Sequence, residues 1–337
     1  MNSRERIRAL IAREPADRHG FWLGNPYPDT WPILHEYFGT TTEEELRVKL
    51  GDDYRWICPQ YDDRTYQGAA GADVFEVITR RTFDGVVTPL KDCEDPQEIE
   101  AFDWPSADDL NLEPTLEKLC NAGDFYRASG FWCPFYHDLM DLFGMETYLM
   151  KMYTHPDVVE AATDRICQFY YDANERFFSL AGDLIDGFFF GNDFGTQNSL
   201  IISPKLFDRF IMPWFSTFID QGHRHGYQVI LHSCGSIYRM LPTLIAAGVE
   251  CLHPLQARAA NMDAETLSRE FNGKVTFLGG IDTQYILPYG SPEDVRREVY
   301  RVRDLLGPYV IISPSHEAIL PDVPPRNVEA MAAAARE

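Results

Sequence analysis

No apolar run in these 337 residues approaches the ~20 residues that a membrane-spanning helix requires, and the longest candidates, such as Gly187–Gly191, are strand-sized. Basic charge is scarce: 30 Lys and Arg stand against 52 Asp and Glu, a formal charge of −22 with neutral histidines. No Lys/Arg cluster supplies the footprint needed to displace counterions from phosphates, so nucleic acid and acidic membranes are excluded as partners. Seven cysteines are scattered without a CxxC pair, which excludes a disulfide framework in a chain long enough to bury its own core. Internal repeats and low-complexity tracts are absent. With 45% hydrophobic and 24% charged residues, the composition excludes disorder, collagen and coiled coil. An apolar leader is also missing: Arg4, Glu5, Arg6 and Arg8 begin a mixed-charge helix, and the cytoplasm is the expected compartment.

What is present is an α/β rhythm. Short apolar runs at 183–190, 228–234, 250–255, 275–281 and 309–312 alternate with helical patterns, and the last four begin far enough apart for one crossover helix each. Ser203-Pro204 and Ser291-Pro292 read as helix starts, the second with Asp294 at the capping-box position. Gly226, Gly248 and Gly307 sit where helices should end. A long helix is predicted from His155-Pro156 to about Leu180. The first half adds strand candidates at 20–23, 54–57 and 124–132, which brings the count to eight. Eight parallel strands close a barrel, so the expected fold is α/β, a (β/α)8 TIM barrel in one domain spanning 1–337. An N-terminal extension is assigned to 1–19. A β-hairpin insertion is assigned to 70–92, with strands at 74–79 and 85–89 around Asp84-Gly85.

In such a barrel the chemistry sits at the C-terminal ends of the strands. The fourth strand runs into Asn192, Asp193 and then Gln197; the fifth ends His232-Ser233-Cys234; the sixth carries His253. The seventh ends at Asp282, and the eighth continues to His316-Glu317. Residues i and i+2 of a strand share a face, so His232 and Cys234 both turn toward the barrel axis. A thiolate beside an imidazole suits zinc, and a catalytic zinc takes three protein ligands with one position open. His316 is the natural third ligand, with Glu317, Asp282 or Asp193 as a fourth or as an orienting acid. The competing reading is a pair of buried, hydrogen-bonded groups without metal.

The remaining histidines read as structural. His223 and His225 fall in the last turn of a helix, where they complement its dipole, and His19, His35 and His155 lie near helix ends or loops. His253 divides between pocket and core, and His137 follows the third strand. Among the aromatics, Trp132 and Tyr136 are the candidates for a substrate wall, and most of the others should be core.

The strand-end residues resemble the uroporphyrinogen decarboxylase superfamily, and its branch of corrinoid-linked, zinc-dependent methyltransferases in particular. The resemblance is carried by Gly191-Asn-Asp-Phe-Gly-Thr-Gln-Asn198 with Ser203-Pro-Lys-Leu-Phe207, by His232-Ser-Cys-Gly235 and by His253-Pro-Leu-Gln256. Gly279-Gly-Ile-Asp-Thr-Gln284, Ser313-Pro-Ser-His316 with Pro321-Asp-Val-Pro-Pro325, and Arg80-Arg81-Thr-Phe-Asp-Gly85 extend it over nearly the whole chain. The resemblance implies a (β/α)8 barrel and a homodimer. Decarboxylases of the family hold a polycarboxylate with arginines after the first strand and a catalytic aspartate after the second. Here those stretches are Leu23-Gly-Asn-Pro-Tyr27 and Ile57-Cys-Pro-Gln60, with neither residue, although Asp62, Asp63 and Arg64 follow closely. In a protein at −22, nothing else would attract such a ligand.

The methyltransferase branch binds zinc through a His-x-Cys pair and a later cysteine. The matching positions are His232, Cys234 and, in place of that cysteine, His316. The expected activity is therefore a zinc-dependent methyl transfer between a corrinoid (cobalamin or a corrinoid protein partner) and a small-molecule substrate. Asp193, Asp282 and His316 are the expected catalytic groups; Gln197, His253, Trp132 and Tyr136 are expected to bind substrate. The alternatives are a decarboxylase acting on a porphyrinogen or smaller acid, with Asp193 and His316 as acid and base, and a barrel that binds a ligand without turnover.

Overall fold

A computed structural model of the chain describes residues 1–59, 65–79 and 88–337. Eight parallel strands form its centre: β1 (Gly20–Phe21), β2 (Tyr54–Ile57), β3 (Tyr126–Ser129), β4 (Gly187–Gly191), β5 (Gln228–His232), β6 (Cys251–Leu255), β7 (Thr276–Ile281) and β8 (Val310–Pro314). Their hydrogen-bonded order is β1-β8-β7-β6-β5-β4-β3-β2, and helices cross between successive strands. The architecture is the (β/α)8 TIM barrel expected from strand counting.

Alternation along the strands divides the apolar residues into two sets. Tyr54, Tyr126, Ala128, Phe189, Ile230, Cys251, Leu278 and Ile311 fill the barrel interior together with Trp22. Phe188, Phe190, Val229, Leu231, Leu252 and Ile312 point the other way, into the layer between sheet and helices. The period of two that puts Ile230 inside also puts His232 inside, one layer higher toward the C-terminal mouth.

The seam between β1 and β2 is closed by side chains as well as backbone. The Asp53 N–H donates to the Phe21 carbonyl at 2.9 Å, the Phe21 N–H donates to the Asp53 carboxylate at 3.1 Å, and the Leu23 N–H donates to Asp52 at 3.3 Å. Two fully buried carboxylates therefore stitch an incomplete strand pair, and each is neutralised by arginines. Arg6 and Arg18 reach Asp53, both at 2.8 Å, and Arg47 reaches Asp52 at 2.7 Å. Arg6 belongs to the N-terminal helix Ser3–Ile11, whose Arg4 and Arg8 also grip buried Asp186 at 2.8 Å. The mixed charge of that helix is thus what fastens it across the bottom of the barrel. Asp53→Ala takes the acceptor from the Phe21 N–H and a partner from Arg6 and Arg18, but Arg6 keeps Asp17 at 2.7 Å and Arg18 is partly exposed, so unfolding free energy is expected to fall by about 1–3 kcal/mol, read as an earlier urea midpoint at constant slope. Arg8→Ala, at a half-exposed ion pair, should shift it by less than about 1 kcal/mol.

The helix punctuation is as expected. Ser203 caps Pro204–Phe210, and Ser291 with Asp294 forms a capping box for Pro292–Leu306. The long helix runs Pro156–Ala181. The predicted hairpin needs correction. Its first strand, 74–79, lies in the helix Ala72–Thr79, because Val74, Phe75 and Ile78 are spaced for one face of a helix and are buried together. Most of its second strand and the Arg80–Gly85 motif lie outside the described residues, as do Asp62, Asp63 and Arg64. The seven cysteines are all free. Among the described residues no helix is long and apolar enough to cross a membrane.

Candidate metal centre

β5 delivers His232 to the upper layer of the interior, and the chain leaves the strand through Ser233 and Cys234. The turn is held on both sides. The Cys234 N–H donates to Asp193 Oδ1 at 2.9 Å, the Gly235 N–H to Gln256 Oε1 at 2.8 Å, and the Ser233 N–H to the His253 carbonyl at 2.9 Å. Gly235 has φ +82°, and a Cβ there would lie 2.2 Å from the Gly195 carbonyl oxygen, so only glycine lets the loops after β4 and β5 approach this closely. That approach brings Asp193, on the β4 loop, over the end of β5. Asn192 anchors the same loop by accepting from the Tyr136 N–H and donating to the Cys133 carbonyl, both at 2.9 Å.

Three ligand-type atoms converge as a result. His232 Nε2 lies 3.4 Å from Cys234 Sγ and 3.2 Å from Asp193 Oδ1, and all three atoms fall within 4.8 Å of one another. A tetrahedral zinc at ordinary bond lengths sets imidazole nitrogen about 3.5 Å from a thiolate sulfur and about 3.3 Å from a carboxylate oxygen. The donor set therefore matches zinc in both chemistry and edge length. Its two anions, thiolate and carboxylate, would balance the charge of a divalent ion.

On its other side His232 meets a second group. Its Nδ1 is 2.9 Å from His253 Nδ1 and 4.0 Å from Glu317 Oε2, and Glu317 in turn is 3.7 Å from His316 Nδ1. His253 Nε2 and Glu317 Oε2 are buried and make no hydrogen bond. His316 stands at the rim with its side chain 41% exposed, its Nδ1 accepting from the Ala318 N–H at 3.1 Å. The third atom gathered with His232 and Cys234 is thus Asp193, while His316 sits one step outward beside Glu317.

The electrostatics follow from this packing. Burial opposes a charge on His232, but the Asp193 hydrogen bond, the Cys234 contact and nearby Glu317 outweigh it, so the imidazole pKa lies well above its ordinary value. Burial likewise opposes the charge on Asp193, yet His232 and the Cys234 N–H hold its carboxyl well below the usual range. Burial raises the Cys234 thiol, and His232 only partly offsets this. His253 is pushed well below its ordinary value, by burial first and then by the neighbouring His232 and His316.

Aromatic rings frame the centre. Trp132 stands edge-on to His232 with centroids 4.9 Å apart, and Trp56 packs against Trp132 at 4.9 Å; both are only partly buried. Of the expected substrate wall, Trp132 is at the centre. Tyr136 is fully buried against Phe194 and Tyr148. His253 is fully buried behind His232, and the Gln197 side chain is exposed while its carbonyl accepts from the Ala260 N–H at 2.9 Å. Asp282 is buried, accepting from the Gln284 N–H at 3.0 Å with Arg258 3.8 Å away. His223 and His225 pair with Glu250 and Glu175, each at 3.1 Å, as expected of structural groups. The sequence reading passed over Trp56, although it stands two residues after interior Tyr54 on β2, and it gave Gln256 no role.

The family model described as uroporphyrinogen decarboxylase (URO-D) matches residues 139–337, more than half of the chain. No curated protein matches the sequence. A solved structure of a methyltransferase from Methanosarcina mazei superposes with a TM-score of 0.65, covering 99% of this chain and 98% of its own, at 17% sequence identity. The two share a fold.

Proposed function

The chain belongs to the uroporphyrinogen decarboxylase family, and from that premise we propose that it is a zinc-dependent methyltransferase, moving a methyl group between a corrinoid and a small-molecule substrate. The observation that carries the reading is the convergence of His232 Nε2, Cys234 Sγ and Asp193 Oδ1 at zinc-like spacing on the C-terminal face. The similarity in fold to a methyltransferase supports it.

His232, Cys234 and Asp193 would hold the metal and leave a fourth position toward the mouth. Bound there, zinc supplies Lewis acidity, lowering the pKa of a thiol or polarising a methyl donor. The side chains do the rest. Trp132 and Trp56, their rings tilted 49° to one another, offer an apolar wall that keeps water from one side of the reacting group. His316, accepting from Ala318 through Nδ1, keeps its Nε2–H free to donate to substrate, and Glu317 beside it can take up a proton released at the centre. A corrinoid protein is the proposed partner, docking over the barrel mouth. Asp193 and Glu317 at the centre would repel a polycarboxylate, which weighs against a porphyrinogen substrate.

The test is zinc content after exhaustive dialysis, together with the absorbance of methylcobalamin or cob(I)alamin incubated with thiols, folates and methyl ethers. About one tightly held zinc per chain and a cobalamin spectral change with one substrate class are expected. Zinc far below one per chain would sink the mechanism, and carboxyl loss from uroporphyrinogen would replace it with decarboxylation.

A further inference from the structure

The pair of imidazoles beneath the centre has a direction. His232 Nδ1 and His253 Nδ1 are 2.9 Å apart, so one must carry the proton and the other the lone pair. If His253 donates, the His232 proton sits on Nε2, facing Asp193 and Cys234, and no lone pair is left for a metal. If His232 donates from Nδ1, Nε2 is the nitrogen left for a metal, which takes the place of the proton that Nε2 otherwise shares with Asp193 at 3.2 Å. The surroundings of His253 decide between these. Its ring is fully buried in T-shaped contact with Trp22 at 5.1 Å and Phe189 at 5.4 Å, and its Nε2 meets no polar partner. That nitrogen finds no hydrogen-bond partner there, and with a metal on His232 Nε2 the His232 proton must sit on Nδ1, opposite His253 Nδ1. The proton of His253 therefore belongs on Nε2, and its Nδ1 is an acceptor.

From this geometry we infer that His253 is the positioning residue of the metal centre, fixing the His232 ring and tautomer so that Nε2 faces Cys234 and Asp193. The inference rests on the metal reading above, but it assigns His253 a role distinct from the substrate contact read from its strand-end position. On its far side the His253 ring packs on Trp22 and Phe189, and its Nε2 makes no hydrogen bond there. Replacing it frees the His232 ring to turn its Nδ1 toward Glu317, 4.0 Å away.

Two measurements on the full chain test this. In the metal-free protein with 15N-labelled histidine, two-bond nitrogen–proton spectra should show His253 protonated at Nε2 and bare at Nδ1; a proton on Nδ1 overturns the inference whether or not zinc binds. The second measurement is zinc affinity by competition with a chromophoric chelator. His253→Phe keeps the aromatic volume but has no acceptor, and should weaken zinc by about 10–100-fold, the usual effect of losing a group that orients a ligand. His253→Asn, which can place an amide oxygen near the Nδ1 position, should recover most of that loss. Wild-type affinity in the Phe variant, or equal losses in both variants, would show that His253 only fills space while the metal centre itself stands. Failure of the wild type to bind zinc would refute the metal reading, leaving the tautomer spectrum to decide the orientation.

Discussion

Cys234→Ser is expected to weaken zinc binding by roughly 10²–10³-fold and to abolish methyl transfer. The magnitude follows from sharing an apparent binding free energy of about 10–16 kcal/mol for a structural zinc among four ligands, which gives about 2.5–4 kcal/mol each. Serine is the informative replacement because it keeps the size of the side chain and can still bond His232 Nε2, which lies 3.4 Å from the sulfur. The loss therefore reports the thiolate and not a collapse of the turn, whose backbone bonds to Asp193 and Gln256 remain. Cobalt substitution adds a second readout, since the sulfur-to-cobalt charge-transfer band should vanish in the variant while the protein stays folded. If the serine variant holds zinc as tightly as wild type, Cys234 is not a ligand. The centre would then have to be sought on the other side of His232, among His253 and Glu317, the second cluster of ligand-type atoms.

The parts of this centre differ in how far they could be read from sequence. His232 and Cys234 were legible because a strand's period of two is rigid, so a His-x-Cys at a barrel strand end has one place to point. Asp193 was legible as a nearby acid but not as the atom completing the set, because its direction depends on two loops pressed together at Gly195 and Gly235. No local pattern encodes that approach. His316 shows the reverse: its position after β8 was plain, but the following turn ties its Nδ1 to the Ala318 N–H and leaves the ring at the rim. The 74–79 run failed for another reason. Six mostly apolar residues satisfy either period, and the helix prevails because Val74, Phe75 and Ile78 share one face against the core. The seam is marked in the sequence only by two adjacent aspartates just before β2, whose arginine partners, Arg6, Arg18 and Arg47, are scattered over the preceding residues.

The charge balance changes meaning once these groups are located. Three buried aspartates, Asp52, Asp53 and Asp186, are spoken for by arginines at the seam and beneath the barrel. Those arginines are unavailable to an anionic substrate. At the mouth Arg258 leans on Asp282 and over the ring of Tyr285, 4.0 Å from its centroid. The acids that remain directed at the centre are Asp193 and Glu317, and they favour a cation in the site. Local placement, more than the total of −22, is what makes the centre suited to a metal.

Zinc affinity should therefore fall steeply with acidity, by about 100-fold per pH unit through the neutral range. In the metal-free protein the pKa of His232 is raised: burial disfavours the cation, but Asp193, Cys234 and Glu317 outweigh it. The Cys234 thiol is raised as well, by burial. Both groups are consequently protonated at neutral pH, and both must lose that proton to ligate, so binding releases about two protons and each unit of pH contributes two decades. Asp193 adds no proton, since its carboxyl titrates well below the usual range. The sign is fixed by these directions: below neutrality both protons compete with zinc, and the slope lessens only as pH rises past whichever raised pKa is the lower. Calorimetry in buffers of different ionisation enthalpy gives the proton count directly. Asp193→Asn removes the main support of the His232 cation, so its proton release at neutral pH should drop toward one while its affinity also falls for want of a ligand. A wild-type count near zero would mean that the zinc is held by groups already deprotonated, and His232 and Cys234 would not be its ligands.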